Sequence, residues 1–229
     1  MKEDARLYAP ATARNRDAIL DVLRRHLPSR GLVLEVASGS GEHVVHFAKS
    51  SGPDLIFQPS DPDRGARASI DAWAAALGLG NIRPAIGLDV TSDRWPISHA
   101  HAMLCINLIH IAPWPATVGL MRGAAGILPI GGVLFLYGPF RRNGCHTAPT
   151  NEAFDRDLRM RNPAWGVRDL EAVAELAEAQ GFTRPVVEEM PANNLSAIFL
   201  RQLPSPRSRE DNAIATRTLR TPGSKRLLG

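Results

Sequence analysis

The chain is poor in cysteine, with two, Cys105 and Cys145, in 229 residues. That is too few for a disulfide framework or a cysteine-built zinc site, and it suits a reducing, cytosolic setting. Long apolar runs are missing too. The longest, Met103 to Ile111, is interrupted by Asn107 and His110 and falls short of the ~18 residues a membrane span needs. The amino terminus opens Met-Lys-Glu-Asp, without an apolar signal core, so secretion is not expected. No internal repeat is visible. His43 and His46 sit one helical turn apart after Glu42, but the order His-Glu-x-x-His and a third ligand are lacking, so no metal is expected. The pattern Gly-x-Ser-x-Gly is also lacking, which argues against a hydrolase nucleophile.

What is present is an ordinary globular balance: 44% hydrophobic and 22% charged residues, in a length that suits one domain with a small insert or tail. The net charge of +4 belongs to one end. Residues 203–229 hold six basic side chains against Glu210 and Asp211, leaving 21 of each sign in the first 202 residues. A neutral body argues against a nucleic-acid or membrane surface. We therefore divide the chain into a folded domain, residues 1–203, and a basic tail, residues 204–229, expected to be disordered.

Along the domain, helical and strand patterns alternate. Helices are expected at residues 15–27, 43–49, 66–77, 117–128 and 168–180. Short strands fall at 32–37, 55–58, 82–88, 101–108, 133–137, 186–190 and 195–200. Such alternation implies a doubly wound, Rossmann-like α/β fold with a mostly parallel seven-stranded sheet. The last two strands, joined by Pro191-Ala192-Asn193-Asn194, add an antiparallel hairpin. Residues 138–168 carry few periodic apolar positions and read as a lid.

In such a sheet the ligand crevice lies at the carboxyl ends of the strands. There the sequence places Glu35 and the turn Ser38-Gly39-Ser40-Gly41, followed by a helix whose free amides suit an anionic group. A dinucleotide site wants a third small residue, where this chain has the branched Val44. S-adenosylmethionine, slimmer and with a single carboxylate, does not. Asp61 ends the second strand, where a carboxylate can accept both ribose hydroxyls. Asp89 ends the third, beside the Val90 amide, in reach of an adenine ring. A tight turn without a ligand, and acids that merely cap, remain the alternative reading.

With these residues in place the sequence resembles the class I S-adenosylmethionine-dependent methyltransferases. More narrowly, it is similar to the methyltransferase-like 26 family, a domain of unknown function. The matching segments are PATARNRDAIL, LEVASGSGEH, FQPSDPD, LCINLIHIAPW, YGPF, TNEAFD, RNPAWGVRD and MPANN, spread over residues 8–200. The resemblance implies that Glu35, Ala37, Ser38, Gly39 and Gly41 line the methionine part of the cofactor and that Asp61 meets its ribose. Asp89 and Val90 would meet the adenine, Asn107 the sulfonium, while Arg14 and Asn15 would fold over the whole. The basic tail has no counterpart in the family pattern.

Methyl transfer chiefly requires positioning of a nucleophile against an activated carbon. His110 and Tyr137 are the candidate catalytic residues, with a loop histidine hydrogen-bonded to backbone as the alternative for His110. Phe140, Asn143, Asn151, Phe154, Trp165, Arg168 and Asn193 are candidates for the wall of a small-molecule pocket. No Asn or Asp followed by Pro-Pro and an aromatic residue occurs here, which counts against a nucleobase amino group as acceptor. The expected function is methyl transfer from S-adenosylmethionine to a small molecule. The alternatives are a non-catalytic protein that senses the cofactor, nucleic-acid modification guided by the tail, and, weakest, a nicotinamide dehydrogenase. Oligomeric state is left open.

Overall fold

Leu32 to Val36 are buried at every position, as a strand must be when both faces of its sheet are covered. A computed structural model describes residues 4–203. The expected tail lies outside the described residues. The elements run α1 (Pro10–His26), β1 (Gly31–Val36), α2 (Glu42–Lys49), β2 (Leu55–Ser60) and α3 (Arg64–Leu77). Then come β3 (Ala102–Ile106), a 3-10 turn (Leu108–His110), α4 (Trp114–Ile127), β4 (Val133–Gly138), β5 (Phe140–Arg142), β6 (Cys145–His146) and α5 (Pro149–Arg161). The last are β7 (Arg168–Asp169), α6 (Leu170–Ala179), β8 (Val186–Met190) and β9 (Asn194–Leu200).

The main sheet has the order β2-β1-β3-β4-β9-β8. Its first four strands are parallel, and β9 and β8 are antiparallel additions. Side chains alternate between faces, as a pleat requires. Leu34, Val36, Met103, Cys105, Leu134 and Leu136 point into one core with residues of α4 and α6. Val33, Leu104, Phe135 and Tyr137 point into the other, against α1, α2 and α3. The chain leaves β1 toward β2 on one side and returns to β3 on the other, so strand order reverses beside β1. No helix among the described residues is long and apolar enough to cross a membrane.

The α/β architecture is as expected, with one correction. Six strands form the sheet; the seventh, expected at 82–88, is reduced to two isolated parallel bridges, Phe57 to Ile82 and Ser60 to Ile86. One proline and a register slip explain it. Pro59 sits on the edge of β2 that faces this segment and has no N–H to donate, and the pairing shifts by one residue between the two bridges. Backbone bonds resume on either side, Arg83 N to Phe57 O at 2.9 Å and Ile86 N to Pro59 O at 3.1 Å. Between them the buried Gln58 side chain donates from Nε2 to Pro84 O at 2.8 Å, replacing the missing rung. The lid region folds as a second, three-stranded sheet, β6-β5-β7, with α5. Two helices start earlier than the sequence suggests, α1 at Pro10 and α4 at Trp114, each with proline in its first turn, where the absent N–H costs nothing.

Replacing Gln58 by methionine keeps the volume and strands the Pro84 carbonyl. Such a buried unsatisfied acceptor costs about 1–3 kcal/mol. Urea denaturation should show that loss, and hydrogen exchange at Arg83 and Ile86 should quicken before the amides of β1 respond.

Candidate active site

The two glycines after β1 have different duties. Gly41, at φ +89°, precedes α2, and a Cβ there would stand 2.8 Å from the Ile70 Cα of α3. It lets two helices approach. Gly39, at φ +56°, has nothing within 4 Å of the place a Cβ would take. Its backbone borders open space, the condition for a ligand to lie against it. Ala37 also holds positive φ, +54°, at a cost of about 1–2 kcal/mol for an L-residue.

Hydrogen bonds join this turn to the end of β2. Ser38 N donates to Ser60 O at 2.9 Å, Ser60 Oγ to Glu35 O at 2.8 Å, and Gly39 N to Asp61 Oδ2 at 3.0 Å. The other Asp61 oxygen accepts from Asp63 N at 2.9 Å. Asp61 is thus buried and turned into the rim. Asp89 is exposed, and its Oδ1 accepts from the amide and hydroxyl of Thr91, both at 2.8 Å; Val90 beside it is buried. Glu35, at 2% exposure, has an Oε2 without a hydrogen-bond partner among the described residues. Burial pushes its carboxyl up to about 8, with Ser38 opposing and the Asp61 charge adding. The group is therefore mostly neutral at pH 7, an acceptor with an open valence toward any cation that reaches it.

The segment before α1 docks on the same turn. Ala9 N and Ser40 Oγ both donate to Glu42 Oε2, at 2.5 and 2.9 Å. Leu7 N donates to Ser69 Oγ, which donates to Ser40 O, each at 2.7 Å. This docking sets the first turns of α1 beside a cavity of about 740 Å³ at the carboxyl ends of β3 and β4. Of the expected site residues, Arg14, Asn15, Asn107, Tyr137, Asn151, Phe154 and Asn193 line it. Asn15 accepts at Oδ1 from His43 Nε2 at 2.8 Å, and burial pushes the pKa of that imidazole down to about 4. Burial raises the Tyr137 phenol, with hydrogen bonds from Asn15 and Asn194 opposing. Asn107 stands at φ +62° with its N–H on Tyr137 O at 2.8 Å, which aims the end of β3 at the cavity.

Other candidates lie elsewhere. His110 is not on the cavity wall; it is 1% exposed, edge-on to Phe140 at 5.0 Å, and accepts at Nδ1 from Arg168 N at 3.3 Å. Burial, with Arg168 beside it, pushes its pKa down to about 3. Phe140 is wholly buried in that contact. The Arg168 guanidinium donates to the carbonyls of Ile109, Ala112 and Ala164 and so clamps the lid. Asn143 sits in the exposed β5–β6 turn with its N–H on Glu171, and Trp165 lies off the cavity with its N–H on Asn162 O. The sequence reading missed Ile111, Pro139, Thr150 and Asn194 on the wall. Asn194, adjoining Asn193 in MPANN, was the one within reach.

A family model described as "Protein of unknown function (DUF938)" matches residues 6–201. The chain belongs to this family. Among solved structures it is similar to the S-adenosylmethionine-dependent methyltransferase SibL in its apo form. There the identity is 19%, the TM-score 0.69, and the match covers 84% of this chain and 56% of SibL. An O-methyltransferase family 2 protein from Planctomyces limnophilus DSM 3776, in complex with apigenin, gives 18% identity, TM-score 0.71 and coverage of 83% and 58%. The chain thus spans a little over half the length of these two. The YcgJ protein of Bacillus subtilis, at 12% identity and TM-score 0.63, is covered over 99% of its length by 83% of this chain. At such identities the likeness shows a shared Rossmann-like α/β fold.

Two measurements test this geometry. Gly41→Ala combines positive φ with a clash on Ile70, and is expected to lose about 2–4 kcal/mol in urea denaturation. Gly39→Ala, facing open space, should lose only about 1 kcal/mol. The second concerns pH. Glu35 ionises in the unfolded chain above about 4.5 but in the folded chain only near 8, so its contribution is full below the lower value and fades as pH rises to the upper. Glu35→Gln should therefore gain stability relative to the parent between pH 5 and 8, at up to about 1.4 kcal/mol per pH unit.

Proposed function

We propose that the chain binds S-adenosylmethionine along the rim at the ends of β1 and β2 and methylates a small molecule seated in the adjoining cavity. The observation that carries this reading is Glu35, a buried carboxyl with an unpaired oxygen, in the same turn as a glycine whose open side faces no protein atom. That pair fits the amino-acid end of the cofactor. Glu35 would accept from the ammonium group, while Gly39 lets the chain lie close. Asp61 keeps lone pairs on both oxygens for ribose hydroxyls, and Asp89 with Val90 flanks the place of the adenine. Asn107 would meet the sulfonium side, at the border of rim and cavity.

The cofactor, when bound, supplies an electrophilic methyl group. The chain's task is alignment, which is worth about 7–11 kcal/mol in well-oriented systems. The narrower kinship with methyltransferase-like 26 proteins rests on the sequence segments given above, and a cytosolic setting on the two unpaired cysteines. A second reading, a non-catalytic protein that senses the cofactor, draws on His110 being shut away from the cavity. Single-turnover transfer of labelled methyl to any metabolite would exclude it.

Isothermal titration with S-adenosylmethionine and S-adenosylhomocysteine tests the main reading. Both should bind, and Asp61→Ala should weaken them roughly ten-fold or more, the loss of one charge-assisted hydrogen bond. An ammonium group placed on Glu35 should drive off its proton. Titrations at pH 7 in buffers of different ionisation enthalpy should then report release approaching one proton, abolished by Glu35→Gln. Absence of binding by either compound at high micromolar concentration would sink the reading.

A further inference from the structure

The cavity beside the rim carries one charged side chain, Arg14, and no carboxylate among the described residues that line it. Arg14 is exposed on α1 and joins none of the arginine ion pairs among the described residues. Its neighbour Asn15 has its oxygen engaged by His43 and gives one N–H to the Tyr137 phenol, which leaves one N–H. Asn151 is oriented the other way. Both its N–H groups are taken, by Thr147 Oγ1 at 3.0 Å and Asn193 O at 2.8 Å, and its oxygen is left to accept. The wall offers a cation and an amide donor from α1, and an amide oxygen from α5 together with the apolar side chains of Phe154 and Ile111.

Among the described residues the wall offers nothing to take up a proton. His110 is not part of it, and its Nδ1 is engaged by Arg168 N. Tyr137, the other titratable group on the wall, holds its phenol proton more firmly than a free tyrosine because it is buried. An alcohol or an ammonium ion must lose a proton to become a methyl acceptor at neutral pH. A carboxylic acid has already lost it.

Resting on the methyltransferase reading, we propose that the acceptor is a small carboxylic acid, bound as its anion by Arg14 and methylated on a carboxylate oxygen. In the step, a lone pair of that oxygen forms the new O–C bond as the carbon–sulfur bond breaks, and the electron pair of the broken bond stays on sulfur. The negative charge of the acceptor and the positive charge of the sulfonium cancel. A neutral methyl ester and a thioether result, and no proton moves. A single guanidinium suits one carboxylate, for which its planar fork is matched. The volume, about 740 Å³, is that of a small-molecule site.

The test uses the full chain saturated with S-adenosylhomocysteine and three probes on one frame: 3-phenylpropanoate, 3-phenylpropanol and 3-phenylpropylamine. Titration should show the acid binding at least ten-fold tighter than the other two. Arg14→Gln should erase that preference while weakening S-adenosylhomocysteine far less than it weakens the acid. An acid that binds no better than the alcohol or amine overturns the proposal, as does an equal loss of acid and cofactor product in the variant, which would give Arg14 to the cofactor. Failure of S-adenosylhomocysteine itself to bind would instead sink the wider methyltransferase reading. With methyl-labelled S-adenosylmethionine and a metabolite extract, the transferred label should leave as methanol in mild alkali, as an ester does. Label that survives alkali, or no transfer, overturns the assignment.

Discussion

The carboxylate of Asp61 joins two strand ends into one rim. One oxygen holds the amide of Gly39 after β1, the other the amide of Asp63 before α3, and Ser38 and Ser60 close the same seam through backbone and side chain. Everything proposed for the site follows from this joint. It keeps Gly39 facing open space, holds Ala37 in a conformation alanine disfavours, and leaves Glu35 beneath the turn with an oxygen no neighbour fills. A buried carboxyl with one oxygen unpaired is costly in an isolated protein. It is compatible with a site that a cation completes.

The second organising constraint is the clamp between the 3-10 turn and the lid. Arg168 reaches three carbonyls, its own amide meets His110, and Gly166 N meets the His110 carbonyl. The imidazole is thus a strut between the end of β3 and the lid. This arrangement seats the lid firmly while leaving the polar part of the cavity wall to amides, the Thr150 hydroxyl, one phenol and one guanidinium. A site built so can orient and desolvate a nucleophile. Acid–base chemistry would have to come from the acceptor itself.

The order of helices and strands was legible because both cores are apolar at regular spacing, period two in the strands and near 3.6 in the helices. Two places failed for definite reasons. At 82–88 the apolar pattern is that of a strand, but Pro59 removes a donor from the β2 side and the register slips by one residue, so pairing shrinks to isolated bridges. At α5 the buried residues Asn151, Asp155 and Leu158 keep helical spacing but are mostly polar, so an apolar period never shows. Their burial is supported by hydrogen bonds from Val167 and Arg159 to Asp155, and from Asn151 to Thr147 and Asn193, partners distant or unremarkable in sequence.

By itself the sequence determined the layered α/β class, the place of the rim and the kinds of residue on it, since these depend on local spacing and on where strands end. Only the tertiary structure decided which of those residues share a space. It gathered Arg14, Asn107, Tyr137, Asn151 and Asn193 around one cavity from α1, β3, β4, α5 and the β8–β9 turn, and drew His110 and Arg168 away into a strut. The reason is that a side chain's direction depends on hydrogen bonds and packing made with partners tens of residues away, and spacing along the chain carries no record of them.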